Sequence, residues 1–297
     1  MTGREASAKA LPGMQTQYAQ FDGFHGEYTC SYIPNVVYAE YDKPYTLQII
    51  RPNAPKEKVF PLLVFVQGSA WFKQNVFMNL PQMCTLASYG FVVAMVEYRA
   101  IPEHRHPAQV EDAKAAIRFM RAHAEEYGVD KKRVGVLGDS SGGHVALMTA
   151  LTPGEFNNGV CGKESDLVSA VVDIYGVADI LTLGEYHTAF EHDSVDSPEG
   201  MLLGGVPSQL EAEAKAASPR WRVREDVEIP PIMVIHGDRD NVVHHTQSIY
   251  LVEALQAAKK DVTFIKVLGA DHGPGIWSRE RLQMIAEFFH ARLTVVE

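Results

Sequence analysis

RVGVLGDSSGGHVALMTAL, residues 133–151, decides the fold. Residues 133–138 form a short apolar run of strand type and residues 141–151 have the composition of a helix, so strand passes to helix across Gly138-Asp139-Ser140-Ser141-Gly142-Gly143. These residues fit G-x-S-x-G with Ser140 at the centre. Chance alone would produce the pattern in a chain this long on the order of one time in ten, so its weight comes from its context. A sharp strand-to-helix turn strains the serine backbone and lifts the hydroxyl above the sheet, and flanking glycines let neighbouring backbone pass closely. The helix that follows aims its N-terminal N–H groups and positive dipole end at the same spot. A Ser/Gly helix cap is the plain alternative.

Outward from this stretch, strands and helices alternate. Upstream lie the apolar runs VVYAEY (36–41), YTLQIIRP (45–52), FPLLVFVQG (60–68) and FVVAMVEYR (91–99). Residues 107–127 predict a helix, with Val110, Ala113, Ile117, Met120, Ala124 and Tyr127 recurring at three and four and Gly128 as its stop. Downstream, strands are expected at 168–177, 231–237 (PIMVIHG) and 262–269 (VTFIKVLG), and helices at 245–259 and 278–293, the last with Leu282, Ile285 and Phe289 on one side. Continuous apolar strands between amphipathic helices require a mostly parallel sheet covered on both faces. The fold class is α/β, with residues 31–297 as one domain and residues 1–30 as an extension lacking periodicity. Residues 178–228 break the rhythm, with only one helical piece near 208–217. An insertion there is expected to cover the site as a lid, against the plainer reading of an irregular surface excursion.

Composition narrows the function. The chain has 297 residues, 46% hydrophobic and 22% charged, which suits a globular protein with a large core. Its net charge of -10 repels phosphate backbones and anionic membranes, so neither nucleic acid nor membrane is an expected partner. Cys30, Cys84 and Cys161 are too few and too scattered for a disulfide framework and read as free thiols. No signal-like or membrane-spanning apolar stretch is present, which makes the cytoplasm the default location. No phosphate loop, dinucleotide fingerprint or His-Glu-x-x-His occurs, and the pairs His104/His106 and His244/His245 lack a third ligand, so no cofactor or metal is implied. The expected partner is a small molecule; the sequence does not set the oligomeric state.

A serine hydroxyl needs a base to take its proton and a carboxylate to hold that base in the right tautomer. PIMVIHGDRD carries Asp238 and Asp240 into the loop after one strand, and VTFIKVLGADHG carries His272 into the loop after the next. Of twelve histidines, His272 alone follows that last strand in a Gly-rich loop. His144, one turn after Ser140, is expected to pack on its helix. Spacing does not choose between Asp238 and Asp240. Oxyanion donors are expected from the N–H of Ser141 and from Ser69 and Ala70 in the loop Gln67-Gly68-Ser69-Ala70-Trp71. Trp71, Tyr186 and Trp277 are candidates to line a substrate pocket.

Together, QGSAW, EYRAIPEHRHPAQVEDAKAAIRFMR, GDSSGGH, SPEGMLLGG, HGDRDNVV and GADHG resemble the α/β-hydrolase family over residues 35–295. The resemblance is specifically to bacterial carboxylesterases related to hormone-sensitive lipase and to the acetyl- and feruloyl-esterase group. It implies Ser140 as nucleophile, His272 as general base and Asp240 as the acid, since His236, Gly237, Asp240 and Val243 match HG-x-x-D-x-x-V. Gln67, Ser69 and Ala70 stand where the family has His, Gly and Gly, which narrows or tilts the oxyanion loop against bulky or tertiary-alcohol substrates. The resemblance further implies short acyl groups, with acetylated sugars or plant phenolic esters as natural substrates. An amidase, an arylformamidase or a peptidase on the same three residues is the alternative chemistry, and a non-catalytic binding module of this fold the alternative class.

Overall fold

The computed structural model describes residues 27–273 and 275–293. Residues 1–26, most of the expected extension, lie outside them. Strands β1 (Cys30–Glu40) and β2 (Pro44–Pro52) form an antiparallel pair. Strand β3 (Phe60–Val66) runs parallel to β4 (Val92–Val96), whose other edge takes β2 antiparallel. From the far edge of β3 the sheet continues in parallel through β5 (Val129–Asp139), β6 (Ala170–Ile174), β7 (Ile232–Gly237) and β8 (Val262–Val267). The eight-stranded order is β1-β2-β4-β3-β5-β6-β7-β8. Chain order therefore reverses at β3, and the carboxyl ends of β3 and β5 flank the crevice that open parallel sheets offer to ligands.

Every residue of β3 and β4 is buried, and alternate side chains enter opposite layers. The helices are α1 (Leu80–Ser88), α2 (Ala108–Ala122), α3 (Ala124–Tyr127), α4 (Ser141–Leu151), five short pieces described next, α8 (Thr246–Ala257) and α9 (Arg279–Arg292). Leu62, Val64 and Val66 share one layer with Ile117 of α2, Val145 of α4 and Leu251 of α8. Leu63 and Phe65 share the other with Leu86 of α1 and Phe289 of α9. Burying each such side chain contributes about 1.5–3 kcal/mol, which is why neither face of the sheet can be left open.

One helix was not expected from the sequence, and two expectations are corrected. Helix α1 carries Pro81 in its first turn as its one start signal: Asn79 makes no side-chain cap and the first turn has no acidic residue. The helix expected over residues 107–127 breaks at His123 (φ −104°, ψ 24°), whose ring stacks on Phe119, and ends at the left-handed Gly128. Residues 178–228 hold not one helical piece but five: a 3-10 turn at Ile180–Glu185, α5 (Pro198–Leu203), a 3-10 turn at Pro207–Gln209, α6 (Glu211–Ala216) and α7 (Pro219–Arg222). None exceeds six residues, too short for a helical period to show. Helix α2 is also buried on the face that carries Lys114, Arg118 and Arg121. These cations donate to main-chain carbonyls of Glu155, Val160 and Leu167, so the polar stripe that marks a solvent face elsewhere here pins a loop.

The junction of β5 and α4 allows almost no space. A Cβ on Gly142 would stand 2.0 Å from the carbonyl oxygen of Val66 at the end of β3, and one on Gly138 would stand 2.2 Å from the Gly142 oxygen. Only glycine lets the first turn of α4 lie against the end of β3. Gly142→Ala is expected to cost on the order of 3 kcal/mol, seen as a lower urea midpoint at unchanged slope; a wild-type midpoint would mean that Val66 yields freely.

Asp173 of β6 lies directly beside this junction, paired with Gly138, and is fully buried. Neither carboxyl oxygen has a hydrogen-bond partner among the described residues, and a Cβ on Gly143 or Gly176 would fall 2.4 or 2.1 Å from its Oδ1. Burial pushes the carboxyl up to about 7. An unfolded Asp releases its proton near about pH 3.9, so the native state binds more protons between that value and neutrality, and stability falls as pH rises through the window. Asp173→Asn removes this slope. Its stability relative to wild type is expected to improve by on the order of 3 kcal/mol between about pH 4.5 and about pH 8; urea unfolding of both proteins at the two pH values measures it, and a pH-independent difference contradicts it.

Candidate active site

Ser140 sits between β5 and α4 with φ 54° and ψ −127°, a backbone region disfavoured for any residue with a side chain. Strain of this kind costs about 1–3 kcal/mol and persists because both neighbours are fixed. The Ser140 N–H donates to Ile174 O at 2.9 Å, and its carbonyl accepts from His144 N at 3.2 Å. The hydroxyl therefore emerges at the N-terminus of α4, above the carboxyl end of the sheet.

The loop after β8 brings His272 to it. Its Nε2 lies 2.9 Å from Ser140 Oγ and its Nδ1 2.7 Å from Asp240 Oδ2. With the proton on Nδ1 donated to the carboxylate, Nε2 is left as the acceptor for the serine hydroxyl. The structure thus brings Ser140, His272 and Asp240 into one row, and it separates the two aspartates that spacing could not. Asp238 Oδ1 accepts from the Gly269 N–H at 2.6 Å and braces the loop after β8.

Asp240 is held tightly. Its Oδ1 accepts from the N–H groups of Val242 and Val243, both at 2.9 Å, and His236 Nε2 stands 3.2 Å from Oδ2. Burial alone would raise its pKa, but the hydrogen bonds of His236 and His272 hold the carboxyl well below the usual carboxylate range. It is therefore a fixed anion behind the imidazole. His236, which the sequence left as a strand-end residue, is buried with Nδ1 2.6 Å from Ser248 Oγ.

A second hydrogen-bonded row, unanticipated from sequence, backs the serine. Trp277 Nε1 donates to Tyr175 OH at 2.7 Å, Tyr175 OH donates to Asp139 Oδ2 at 3.2 Å, and Asp139 Oδ1 accepts from the Gly68 N–H at 2.9 Å. The Tyr175 ring lies 4.5 Å from that of His272. The only sequence signal was the position of Asp139 immediately before Ser140.

The loop of residues 67–71 departs from expectation at one residue. The Ser69 N–H donates to Ser141 Oγ at 2.9 Å, joined there by the Trp71 N–H at 3.1 Å, so Ser69 is removed from the set of free donors. Ala70 (φ 52°) and Trp71 (φ 61°) are both left-handed, which turns the loop sharply. The N–H groups of Ala70 and Ser141 have no acceptor among the described residues. Trp71 is almost wholly buried, and its Nε1 donates to His144 Nδ1 at 3.1 Å. His144 Nε2 in turn donates to Ala217 O at 2.7 Å, and burial lowers this histidine to about 4, keeping it neutral. It packs as expected and also ties the loop of residues 67–71 to the segment of residues 178–228.

A cavity of about 270 Å³ opens on Ser140. Ala70, Trp71 and Ser141 border it on one side, and Val177, Phe190, Pro198, Val242 and Val243 supply most of its apolar wall. Of the three aromatics expected to line a pocket, only Trp71 does. Tyr186 stacks on His244 at 4.2 Å, and Trp277 is taken up by Tyr175 and the edge of Phe65. His192 and Glu199, which were not among the residues expected to line a pocket, also belong to the wall. Among the described residues no group of three or more His, Cys, Asp or Glu is arranged to hold a metal, and no helix is long and apolar enough to cross a membrane.

A family model described as BD-FAE matches residues 47–255. Esterase LipC of Mycobacterium tuberculosis is 31% identical over 242 residues, covering 80% of this chain and 59% of that protein. Probable carboxylic ester hydrolase LipM of the same organism is 30% identical over 244 residues, covering 80% and 55%. The chain thus spans little more than half the length of these curated relatives. Among solved structures, a truncated form of a carbohydrate esterase from gut microbiota superposes with a TM-score of 0.80 at 30% identity, covering 90% of this chain and 97% of that one.

Proposed function

From the premise that the chain belongs to the BD-FAE family of α/β-hydrolases, we propose that it is a serine carboxylesterase that hydrolyses short-chain acyl esters through an acyl-enzyme. The observation that carries this reading is the row from Asp240 through His272 to Ser140, at 2.7 and 2.9 Å, ending at the mouth of an apolar cavity.

His272 Nε2 takes the proton of Ser140 as Oγ attacks the ester carbonyl, and Asp240 stabilises the imidazolium that forms. The carbonyl oxygen becomes an oxyanion between the N–H groups of Ala70 and Ser141, where the positive end of α4 adds to its stabilisation. The imidazolium returns its proton to the departing alcohol. Water then enters, gives a proton to His272 and cleaves the acyl-enzyme by the same steps in reverse.

Support for a short acyl group comes from the cavity. At about 270 Å³ it is below the lower end of the range of about 300–1,000 Å³ common for small-molecule sites. Acetylated sugars or plant phenolic esters are the natural substrates proposed, supported by the likeness to a protein titled carbohydrate esterase.

The variants to make are Ser140→Ala, Asp240→Asn and Asp238→Asn, assayed on p-nitrophenyl acetate and the matching anilide. Ser140→Ala is expected to abolish turnover, and Asp240→Asn to lower kcat by about 10³- to 10⁴-fold with little change in KM. Asp238→Asn is expected to cost far less, because its carboxylate meets only a loop N–H. A larger loss for Asp238→Asn than for Asp240→Asn, or anilide turnover faster than ester turnover, would overturn the assignment.

A further inference from the structure

The wall of the cavity carries a polar pair that the proposed chemistry does not use. His192 and Glu199, each about 4% exposed, project from residues 178–228 to within the lining of the cavity that opens on Ser140. His192 Nε2 donates to Val242 O at 3.1 Å, and its Nδ1 lies 3.2 Å from Glu199 Oε1. The other carboxylate oxygen, Glu199 Oε2, is buried and has no hydrogen-bond partner among the described residues.

A buried carboxylate oxygen without a donor is costly, so a ligand that supplies one is favoured. The kind of donor follows from the charge balance. Burial opposes protonation of His192, but Glu199 beside it raises its pKa, which favours a positive charge on His192 facing Glu199. The charge of Glu199 is already compensated, and a cationic ligand would meet His192 as well. A neutral hydroxyl meets neither objection. Away from Ser140, Ser141 and the Ala70 N–H, the remaining wall is mainly apolar, with Val177, Phe190, Pro198, Val242 and Val243, so His192 and Glu199 are its polar side chains there.

We propose that Glu199, positioned by His192, selects esters that carry a hydroxyl near the scissile bond, its Oε2 accepting a hydrogen bond from that hydroxyl. This rests on the esterase reading above. The hydroxyl belongs either to the acyl group or to the alcohol, and the two sources are separable. One substrate pair varies the acyl group: p-nitrophenyl 3-hydroxybutyrate against p-nitrophenyl 3-methylbutyrate. The other varies the alcohol: a monoacetylated methyl xyloside against cyclohexyl acetate.

For each pair, kcat/KM is measured for the unmodified protein, Glu199→Gln and Glu199→Leu. The unmodified protein is expected to prefer the hydroxylated member in at least one pair. Both variants are expected to lower that preference by about 10- to 100-fold, as loss of a hydrogen bond to a charged group does. The pair that responds identifies the side of the ester that carries the hydroxyl. A purely structural pin would lower both members alike, and that result overturns the proposal; no preference in either pair for the unmodified protein overturns it as well, even if neither variant folds. Turnover of plain esters without any hydroxyl preference would leave the esterase reading standing, whereas no turnover of any of the four esters would remove both.

Discussion

The close approach of α4 to the end of β3 is the constraint on which the rest depends. With 2.0 Å between the Val66 carbonyl oxygen and the place a Gly142 Cβ would occupy, the chain must turn from β5 into α4 within a single residue. That residue is Ser140, held at φ 54°. The same approach brings the loop of Gly68 alongside, since a Cβ on Gly68 would stand 2.7 Å from the Cβ of Ser140. One packing constraint therefore fixes the serine, the start of α4 and the loop with the free Ala70 N–H. The sheet supplies the rest, because parallel strands β7 and β8 must release their loops at the same edge.

Where information lies within a few consecutive residues, sequence was a sufficient guide. The turn at Ser140 and the Gly-rich loop of His272 are local patterns, and the buried strands are recognisable because both faces of the sheet are covered. Spacing alone left Asp238 and Asp240 open and only the resemblance to HG-x-x-D-x-x-V favoured Asp240, because what separates them is the turn geometry. The Asp240 N–H reaches back to Gly237 O at 3.4 Å, so the side-chain alternation of an extended chain no longer applies. The Ser69 N–H was misjudged because its acceptor, Ser141 Oγ, lies 72 residues away in the chain. Tyr186 and Trp277 were chosen for residue type and neighbourhood, neither of which says which way a ring points.

The segment of residues 178–228 was the least legible part and is also where the wall of the site gains its polar character. Its helical pieces are short, and its hold on the domain runs through contacts far apart in sequence. Within the segment Asp179 pairs with Arg220 at 2.8 Å; to the rest of the domain, Gln247 accepts from the N–H groups of Ala178 and Asp179, and His192 reaches Val242. Such ties leave no periodic trace. They place Phe190, His192 and Glu199 at the cavity, beside Val242 and Val243, which follow Asp240 after the single residue Asn241. The same short loop thus serves both the acid behind His272 and the wall that a substrate would meet.

The central claim is that Ser140 forms a covalent acyl-enzyme. Its most direct test is rapid acid quenching during turnover of an activated ester, followed by peptide mapping by mass spectrometry. A single acyl adduct on Ser140, lost in His272→Ala, is the expected result. Turnover with the acyl group on another residue, or with no adduct even when deacylation is slowed, would contradict it.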